Sequence, residues 1–227
     1  MNNLGVVALL PMKAHSERVK GKNFRMLHSK PLFRWILDTL LSLKEIDLVV
    51  INTDARQILR DNGLTDSGRV MIRDRKPELC GDYVSMNLII KDDIQNVPAN
   101  VYLMTHTTNP LLSVATVRAA YREFMGKKKT GDADSLFTVN KFQTRFYRAD
   151  GSPVNHDPKN LIRTQDLEPW FEENSNLYIF TSESFRSSNA LIGKKPILYP
   201  MPRKEVVDID DENSWELAET MIKGLDS

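Results

Sequence analysis

Short apolar runs alternate with amphipathic segments along the chain, and this alternation limits the possible folds more than any other feature. The runs at 6–10 and 48–51 are aliphatic, β-branched and short, as buried strands are. Between them, residues 31–41 repeat apolar side chains at helical spacing, and Pro31 suits the first turn of a helix. Strands and helices in alternation predict an α/β fold with a mostly parallel sheet covered on both faces.

The same reasoning predicts the remaining elements. Further strands are predicted at 70–72, 101–104, 135–139 and 177–180, and further helices at 54–63, 85–94, 114–124 and 214–222. Asp54 is predicted to cap the first of these helices. The alternation stops at a polar, turn-rich stretch, residues 142–173. This stretch is too long for a simple connection, and such segments are often functional.

Composition indicates a single domain over residues 1–227. Charged residues make up 27% of the chain and the net charge is +1, so nothing calls for nucleic acid or a membrane surface as a partner. Cys80 is the one cysteine, so no intrachain disulfide can form. The N-terminus lacks a signal-peptide pattern, and no apolar run approaches the ~20 residues of a membrane span. We therefore expect a cytoplasmic protein.

The loop after the first strand, residues 11–23, is rich in cations and has one acidic residue, Glu17. Ligands of open parallel sheets bind beyond the carboxyl ends of the strands, which is where this loop lies. Lysine and arginine in this number suit a triphosphate. The glycine spacing fits neither a dinucleotide fingerprint nor a Walker loop. A solvated basic loop explains the charge equally well.

The sequence of this loop, P-M-K-A-H-S-E-R-V-K-G-K-N, resembles the CTP-binding signature P-A-R-x-x-S-x-R-x-x-G-K-N of the CMP-acylneuraminate (CMP-sialic acid) synthetases, a family of sugar-acid cytidylyltransferases. The resemblance implies a three-layer α/β/α, Rossmann-like sheet of the nucleotide-diphospho-sugar transferase type, with an inserted dimerisation arm. It also implies catalytic roles for Lys13, Arg18 and Lys22, and CTP contacts for Ser16 and Asn23. Lys13 replaces the first arginine of the signature, which keeps the charge and loses the bidentate fork.

Two further stretches resemble parts of the same family's CTP and acceptor sites. Residues 75–82, R-K-P-E-L-C-G-D, are similar to the base-pocket stretch R-P-x-E-L-x-x-D, which implies roles for Asp82 and for either Arg75 or Lys76. A charged surface loop is the alternative interpretation.

Residues 105–112, T-H-T-T-N-P-L-L, are similar to Q-P-T-S-P-L-R. The similarity implies that Thr108 contacts the nucleotide and that His106 and Asn109 contact the acceptor. His106, Thr107 and Leu112 depart from the pattern, and the stretch also fits a helix cap.

Asp208 and Asp210 point to the same side if their segment is extended. Two carboxylates on one side suit Mg²⁺, which completes its shell with phosphates and water. The surrounding V-D-I-D-D-E-N-S-W resembles the family's metal-binding I-D-I-D-T-x-x-D-W, which implies that both residues bind the metal. Asp210 or Asp211 could instead cap the closing helix.

The insertion, about 141–173, corresponds to the family's dimerisation and acceptor arm. Arg163 is the candidate clamp for the acceptor's carboxylate, because arginine binds carboxylates bidentately. Gln143 and Gln165 are the other acceptor candidates within the arm. The resemblance thus implies a homodimer whose arms reach the partner's active site.

The implied reaction transfers CMP from CTP to a nonulosonic, sialic-acid-like sugar acid and releases pyrophosphate, with Mg²⁺ as cofactor. Two alternatives stay open: another anionic acceptor, such as a Kdo-like acid or a phosphonate, and a nucleotide-binding protein without catalysis. Release of pyrophosphate under Mg²⁺ separates the last of these from the enzymes.

Overall fold

Nine strands and six helices alternate through residues 4–224, the part of the chain that the computed structural model describes. The strands are β1 (Leu4–Leu9), β2 (Met26–Leu27), β3 (Lys30–Pro31), β4 (Leu48–Thr53), β5 (Val70–Asp74), β6 (Ala99–Thr105), β7 (Ser135–Phe142), β8 (Trp170–Phe180) and β9 (Pro196–Pro200). The helices are α1 (Leu32–Leu41), α2 (Arg56–Asp61), α3 (Met86–Asn96), α4 (Val114–Thr130), α5 (Ser182–Ser188) and α6 (Glu212–Lys223).

Seven of the strands form the central sheet, in the order β5-β4-β1-β6-β8-β7-β9, while β2 and β3 form a separate hairpin. Strand β8 runs antiparallel to both of its neighbours, β6 and β7. The other pairs are parallel. Six carboxyl ends therefore meet at one edge of the sheet, and the predicted mostly parallel sheet is confirmed.

Both faces of the sheet are covered, as predicted. In β1, Val6 and Ala8 face a core shared with α1 and α4. Val7 and Leu9 face a second core, which α3 and α5 complete. Alternate side chains of a strand point to opposite faces, so a wholly apolar strand such as β1 belongs between two helical layers.

A third apolar cluster holds the last helix against the hairpin. Trp215, Ala218 and Ile222 of α6 pack with Leu27 and with Val19 from the loop after β1. The segment before α6 is thereby fixed beneath that loop.

No helix within residues 4–224 is both long and apolar enough to span a bilayer.

The structure corrects the prediction for Asp54. It does not cap α2, whose N-cap residue is Ala55; instead its Oδ1 accepts a hydrogen bond from the backbone N–H of Ala14 at 2.7 Å. Pro31 likewise lies one residue before α1 rather than in its first turn. The short elements β2, β3, α5 and β9 were not predicted, since none has the length or the apolar periodicity of the others.

The insertion is an extension of the central sheet. Strands β7 and β8 stay paired as far as Phe142 and Trp170, and residues 143–169 form the tip. The ring of Phe146 stacks on that of Trp170, with centroids 5.3 Å apart, and meets Phe142 edge-on. We call residues 141–173 the arm; it leaves the sheet from the edge that carries the six carboxyl ends.

Candidate active site

A cavity of about 370 Å³ opens at the carboxyl ends of β1, β5 and β6. Its lining comes from the loop after β1, the segment between β5 and α3, and the residues that follow β6. The predicted site residues found in this lining are Lys13, Ser16, Arg18, Lys22, Asn23, Arg75, Asp82, His106 and Thr108. Three separate stretches of sequence, one singled out for its charge and all three for their resemblance to the family, thus meet in one cavity.

The loop after β1 is held in place by backbone bonds and by Asn23. The N–H of Met12 donates to Asn52 O at 3.1 Å, which continues the pairing of β1 with β4. Asn23 is buried; its Nδ2 donates to Lys13 O at 2.8 Å, and its Oδ1 accepts from Thr107 Oγ1 at 2.6 Å. Asn23 therefore fixes the shape of the loop, and its carboxamide oxygen is already in use.

The three cations that were predicted to be catalytic all face carboxylates. Lys13 pairs with Asp82, and Arg18 Nη2 lies 2.8 Å from Asp210 Oδ1. Lys22 is buried, donates to Ile209 O at 2.6 Å and lies 3.8 Å from Asp210 Oδ1. Burial lowers the pKa of Lys22, partly opposed by the nearby carboxylates. Exposed pairs of this kind are weak, so phosphate groups can compete for Lys13 and Arg18.

Asp208 and Asp210 are not part of the cavity lining, but they lie next to it, near Lys22. Ile209, between them, is fully buried in the third cluster, so the two carboxylates project the other way, toward Lys22. Burial raises the pKa of Asp208, although a hydrogen bond from Thr108 opposes the shift. The Oδ1 atom of Asp208 is buried and has no hydrogen-bond partner among residues 4–224. A buried carboxylate oxygen in that state is suited to a cation.

The neighbouring Asp211 has a different task. Its side chain accepts from the N–H of Ser214 at 2.8 Å, and Ser214 bonds back to it, so Asp211 caps α6. This capping leaves Asp208 and Asp210 available to the cavity. Within residues 4–224, no three His, Cys, Asp or Glu side chains are grouped to hold a metal ion. A metal here would take further ligands from substrate or water.

His106 and Asn109 lie at the end of β6 in unlike surroundings. His106 lines the cavity, and burial together with Lys22 lowers its pKa to about 4, so it is neutral at pH 7. Asn109 is fully buried, and within the described part of the chain neither its Oδ1 nor its Nδ2 has a hydrogen-bond partner. His106 can donate to or accept from a ligand, whereas Asn109 does not reach the cavity lining in this conformation.

We expect the free energy of unfolding to fall less between pH 7 and pH 5 in His106→Gln than in the wild type. The folded-state pKa of about 4 is below the ordinary 6.5, so the unfolded chain binds more protons between these values and the free energy of unfolding falls as the pH drops. This group accounts for about 2 kcal/mol of that fall between pH 7 and pH 5. Urea unfolding of both proteins at the two pH values measures it, and an equal fall in both would contradict the assignment.

Of the two cations at the start of the second stretch, Arg75 is the one in the cavity lining. Its Nε donates to Asn52 Oδ1 at 2.9 Å, and its Nη2 donates to Met12 O and Asn52 O. Lys76 is exposed and pairs with Asp92 at 2.6 Å. Of the two residues that the sequence comparison left open, Arg75 is therefore the one that lies where a ligand of the cavity could contact it.

The profile of the cytidylyltransferase family matches residues 7–219, nearly the whole chain. The protein is a member of that family. It is therefore a CTP-dependent nucleotidyltransferase, as the resemblance implied. The pseudaminic acid cytidylyltransferase of Campylobacter jejuni is 24% identical over 98% of this chain and 97% of its own length. The N-acylneuraminate cytidylyltransferase of Oncorhynchus mykiss is 27% identical over 96% of this chain, which spans about half the length of that relative.

Solved structures agree on the fold. A CMP:2-keto-3-deoxy-manno-octonic acid synthetase, solved in complex with CTP, superposes with a TM-score of 0.67 over 97% of this chain and 99% of its own. Its sequence identity is 14%, so this likeness speaks for the architecture alone. The expected nucleotidyltransferase sheet of the cytidylyltransferase is thus confirmed.

The arm residues that were predicted for the acceptor lie outside the 370 Å³ cavity of the cytidylyltransferase. Arg163 is bound to Asp166 by two hydrogen bonds, and its side chain is 72% exposed. Gln143 Nε2 donates to Gln165 O and Leu167 O, which ties the two glutamine segments together. All three positions belong to the arm, and none contacts the nucleotide end of its own chain.

A second cavity, of about 500 Å³, lies at the base of the arm of the cytidylyltransferase. Lys141 and Arg203 supply its charge, and Asn140, Phe142, Met201 and Val206 complete its lining. Arg203 was not among the predicted residues. Arg203 could have been found from its position, since it lies five residues before Asp208 in a segment that runs along the edge of the sheet with the six carboxyl ends.

Proposed function

We propose that this cytidylyltransferase transfers CMP from CTP to a nonulosonic, sialic-acid-like sugar acid and releases pyrophosphate. The nine-carbon acids named in its relatives, N-acylneuraminate and pseudaminic acid, support that acceptor class. The observation that carries the proposal is the unpaired, buried oxygen of Asp208 beside a cavity lined by cations. The lining has positive charge for a triphosphate, and Asp208 lies next to it, close to Lys22.

The residues of the cavity act by position and charge. The triphosphate would replace Asp82 as the partner of Lys13 and Asp210 as the partner of Arg18, and buried Lys22 would contact it from the same loop. The acceptor hydroxyl attacks the α-phosphorus in line with the departing pyrophosphate, and no covalent enzyme intermediate is needed. Lys13 and Arg18 then stabilise the charge on the leaving pyrophosphate.

Asp208 and Asp210 are proposed to hold Mg²⁺. Hard carboxylate oxygens, one of them buried without a partner, fit the donor preference of this ion. When bound, Mg²⁺ would supply Lewis-acid stabilisation of the phosphate oxygens during transfer. Asp211 would not take part, because it caps α6.

We also propose that the enzyme works as a homodimer in the cytoplasm. The arm exposes large apolar side chains, namely Tyr147, Leu161, Ile162, Trp170 and Phe171. Exposed apolar groups in one segment support its burial against a second chain. In such a dimer Arg163 would clamp the acceptor's carboxylate in the partner's active site, with Gln143 and Gln165 beside it.

Pyrophosphate release with CTP and Mg²⁺ tests the proposal against a panel of N-acetylneuraminate, legionaminate, pseudaminate, Kdo and a phosphonate. We expect turnover with one nine-carbon acid and at least a tenfold preference for it over Kdo, since an acceptor that leaves buried polar groups unpaired is strongly rejected. Turnover with Kdo or the phosphonate alone would transfer the proposal to that acceptor. Binding of CTP without turnover of any acceptor would favour a nucleotide-binding protein.

A further inference from the structure

A buried chain of polar side chains runs from α3 to the wall of the CTP cavity. Asp93, on α3, is fully buried, and its Oδ1 accepts from Asn52 Nδ2 at 2.8 Å. Asn52, 1% exposed at the end of β4, accepts from Arg75 Nε through its own Oδ1 at 2.9 Å. Because a carboxylate can only accept, Asp93 fixes the Asn52 carboxamide with its nitrogen inward and its oxygen toward Arg75.

The guanidinium of Arg75 is consequently held along one edge. Nε and Nη2 are bound to Asn52 and to Met12 O, whereas Nη1 has no partner among residues 4–224. Since Arg75 lines the cavity, Nη1 is the amino group available to a ligand. Nη1 carries two N–H groups that can make this contact. The hydrogen bonds from Asp93 through Asn52 to Arg75, which we call the relay, determine the plane in which these groups lie.

We infer that Asp93 and Asn52 are positioning residues that orient Arg75 for recognition of the cytosine base. The inference rests on the proposed function and on the resemblance of residues 75–82 to a base-pocket stretch, which implies that Arg75, the cation of that stretch in the cavity lining, faces the base. Cytosine presents two acceptors, O2 and N3, whereas uracil carries a hydrogen at N3. A rigid N–H donor aimed at this edge accepts cytosine and opposes uracil, and a loosely held guanidinium discriminates less.

Asp92 provides a matched control on the next residue of the same helix. It binds Arg73 Nη2 at 2.8 Å and Lys76 Nζ at 2.6 Å, and it is nearly as buried as Asp93. Asp93 also pairs with Arg73, so both carboxylates serve the same ion-pair cluster. Asp93 alone of the two contacts Asn52.

Calorimetric titration with CTP and with UTP tests the relay in Asn52→Leu, Asp93→Asn and Asp92→Asn. We expect Asn52→Leu to weaken CTP binding about tenfold, corresponding to about 1.4 kcal/mol, and to reduce the preference for CTP over UTP. Asp93→Asn should weaken CTP binding and reduce the preference for CTP over UTP in the same direction, because a carboxamide can donate as well as accept and so no longer fixes which way the Asn52 side chain faces. Asp92→Asn should change the affinity less than about twofold, even where it lowers the melting temperature.

A double-mutant cycle separates positioning from general structure. In an Arg75→Lys background, Asn52→Leu should have no further effect on the affinity for CTP, because the group that it orients is gone. Additive losses, or equal losses in Asp92→Asn, would overturn the inference and leave the proposed function intact. Failure of the wild-type chain to bind CTP would overturn both.

Discussion

Replacement of Asp208 by alanine is expected to lower the rate of pyrophosphate release by about a thousandfold or more, because stabilisation of charge at the reacting phosphate contributes most of the rate enhancement in this kind of transfer. The side chain contributes a buried oxygen that no protein group satisfies. Its removal takes away a ligand of the proposed Mg²⁺ and leaves Lys22 without one of its two nearby carboxylates. The measurement is steady-state release of pyrophosphate with the preferred acceptor.

Asp211→Ala is the control for this substitution. The two aspartates are three residues apart in one segment, but Asp211 caps α6 and does not face the cavity. Its loss is expected to lower the free energy of unfolding by about 1 kcal/mol and to leave turnover within a few-fold of wild type. Retained turnover in Asp208→Ala, or an equal loss in both variants, would remove Asp208 from the site.

A heterodimer of Arg163→Ala and Asp208→Ala chains is expected to recover about half of the wild-type rate, although each variant alone is nearly inactive. We expect Arg163→Ala by itself to lose about a hundredfold in kcat/KM for the acceptor, as befits a bidentate contact to a carboxylate. If the arm serves the partner's site, one site of the heterodimer combines an intact Asp208 with an intact Arg163. Co-expression with two affinity tags gives the heterodimer for assay.

Arg148→Ala is the matched control in the same experiment. Arg148 is also exposed on the arm, where it contacts Ser152 and Pro153, and it has no proposed role. It should remain active as a homodimer. A heterodimer as inactive as its parents would mean that the arm serves its own chain, and a chain that sediments as a monomer would exclude the dimer.

The fold could be predicted from the sequence because its strands are short apolar runs, and the site because parallel strands gather their loops at one edge. The common orientation of Asp208 and Asp210 could be predicted from the period of two along an extended segment, whereas their role as metal ligands came mostly from the resemblance and stays a prediction. Each of these arguments uses residues that are close in sequence. The loop after β1 also stands out by its composition, with four cations within the ten residues 13–22.

What could not be predicted depends on partners that are distant in sequence. The Asn52–Asp93 contact joins residues 41 positions apart, and neither residue stands out from its surroundings. Asp54 is a residue type that often caps helices, yet its side chain accepts a hydrogen bond from the N–H of Ala14, 40 positions earlier. Between Arg75 and Lys76, only the pairing of β5 with β4 decides which side chain faces the cavity.

Strand β8, the single antiparallel strand of the central sheet, divides this enzyme into an arm whose length can change and a set of cavity loops whose lengths cannot. Because β8 returns beside β7, the arm begins and ends on adjacent strands, and residues can be added or removed at its tip without reordering the sheet. The loops that meet at β1, β5 and β6 have no such freedom, since each is fastened to another. In the proposed function, acceptor preference would therefore change through the arm while the cavity for CTP stays the same, which makes the arm the segment to exchange when acceptor preference is engineered.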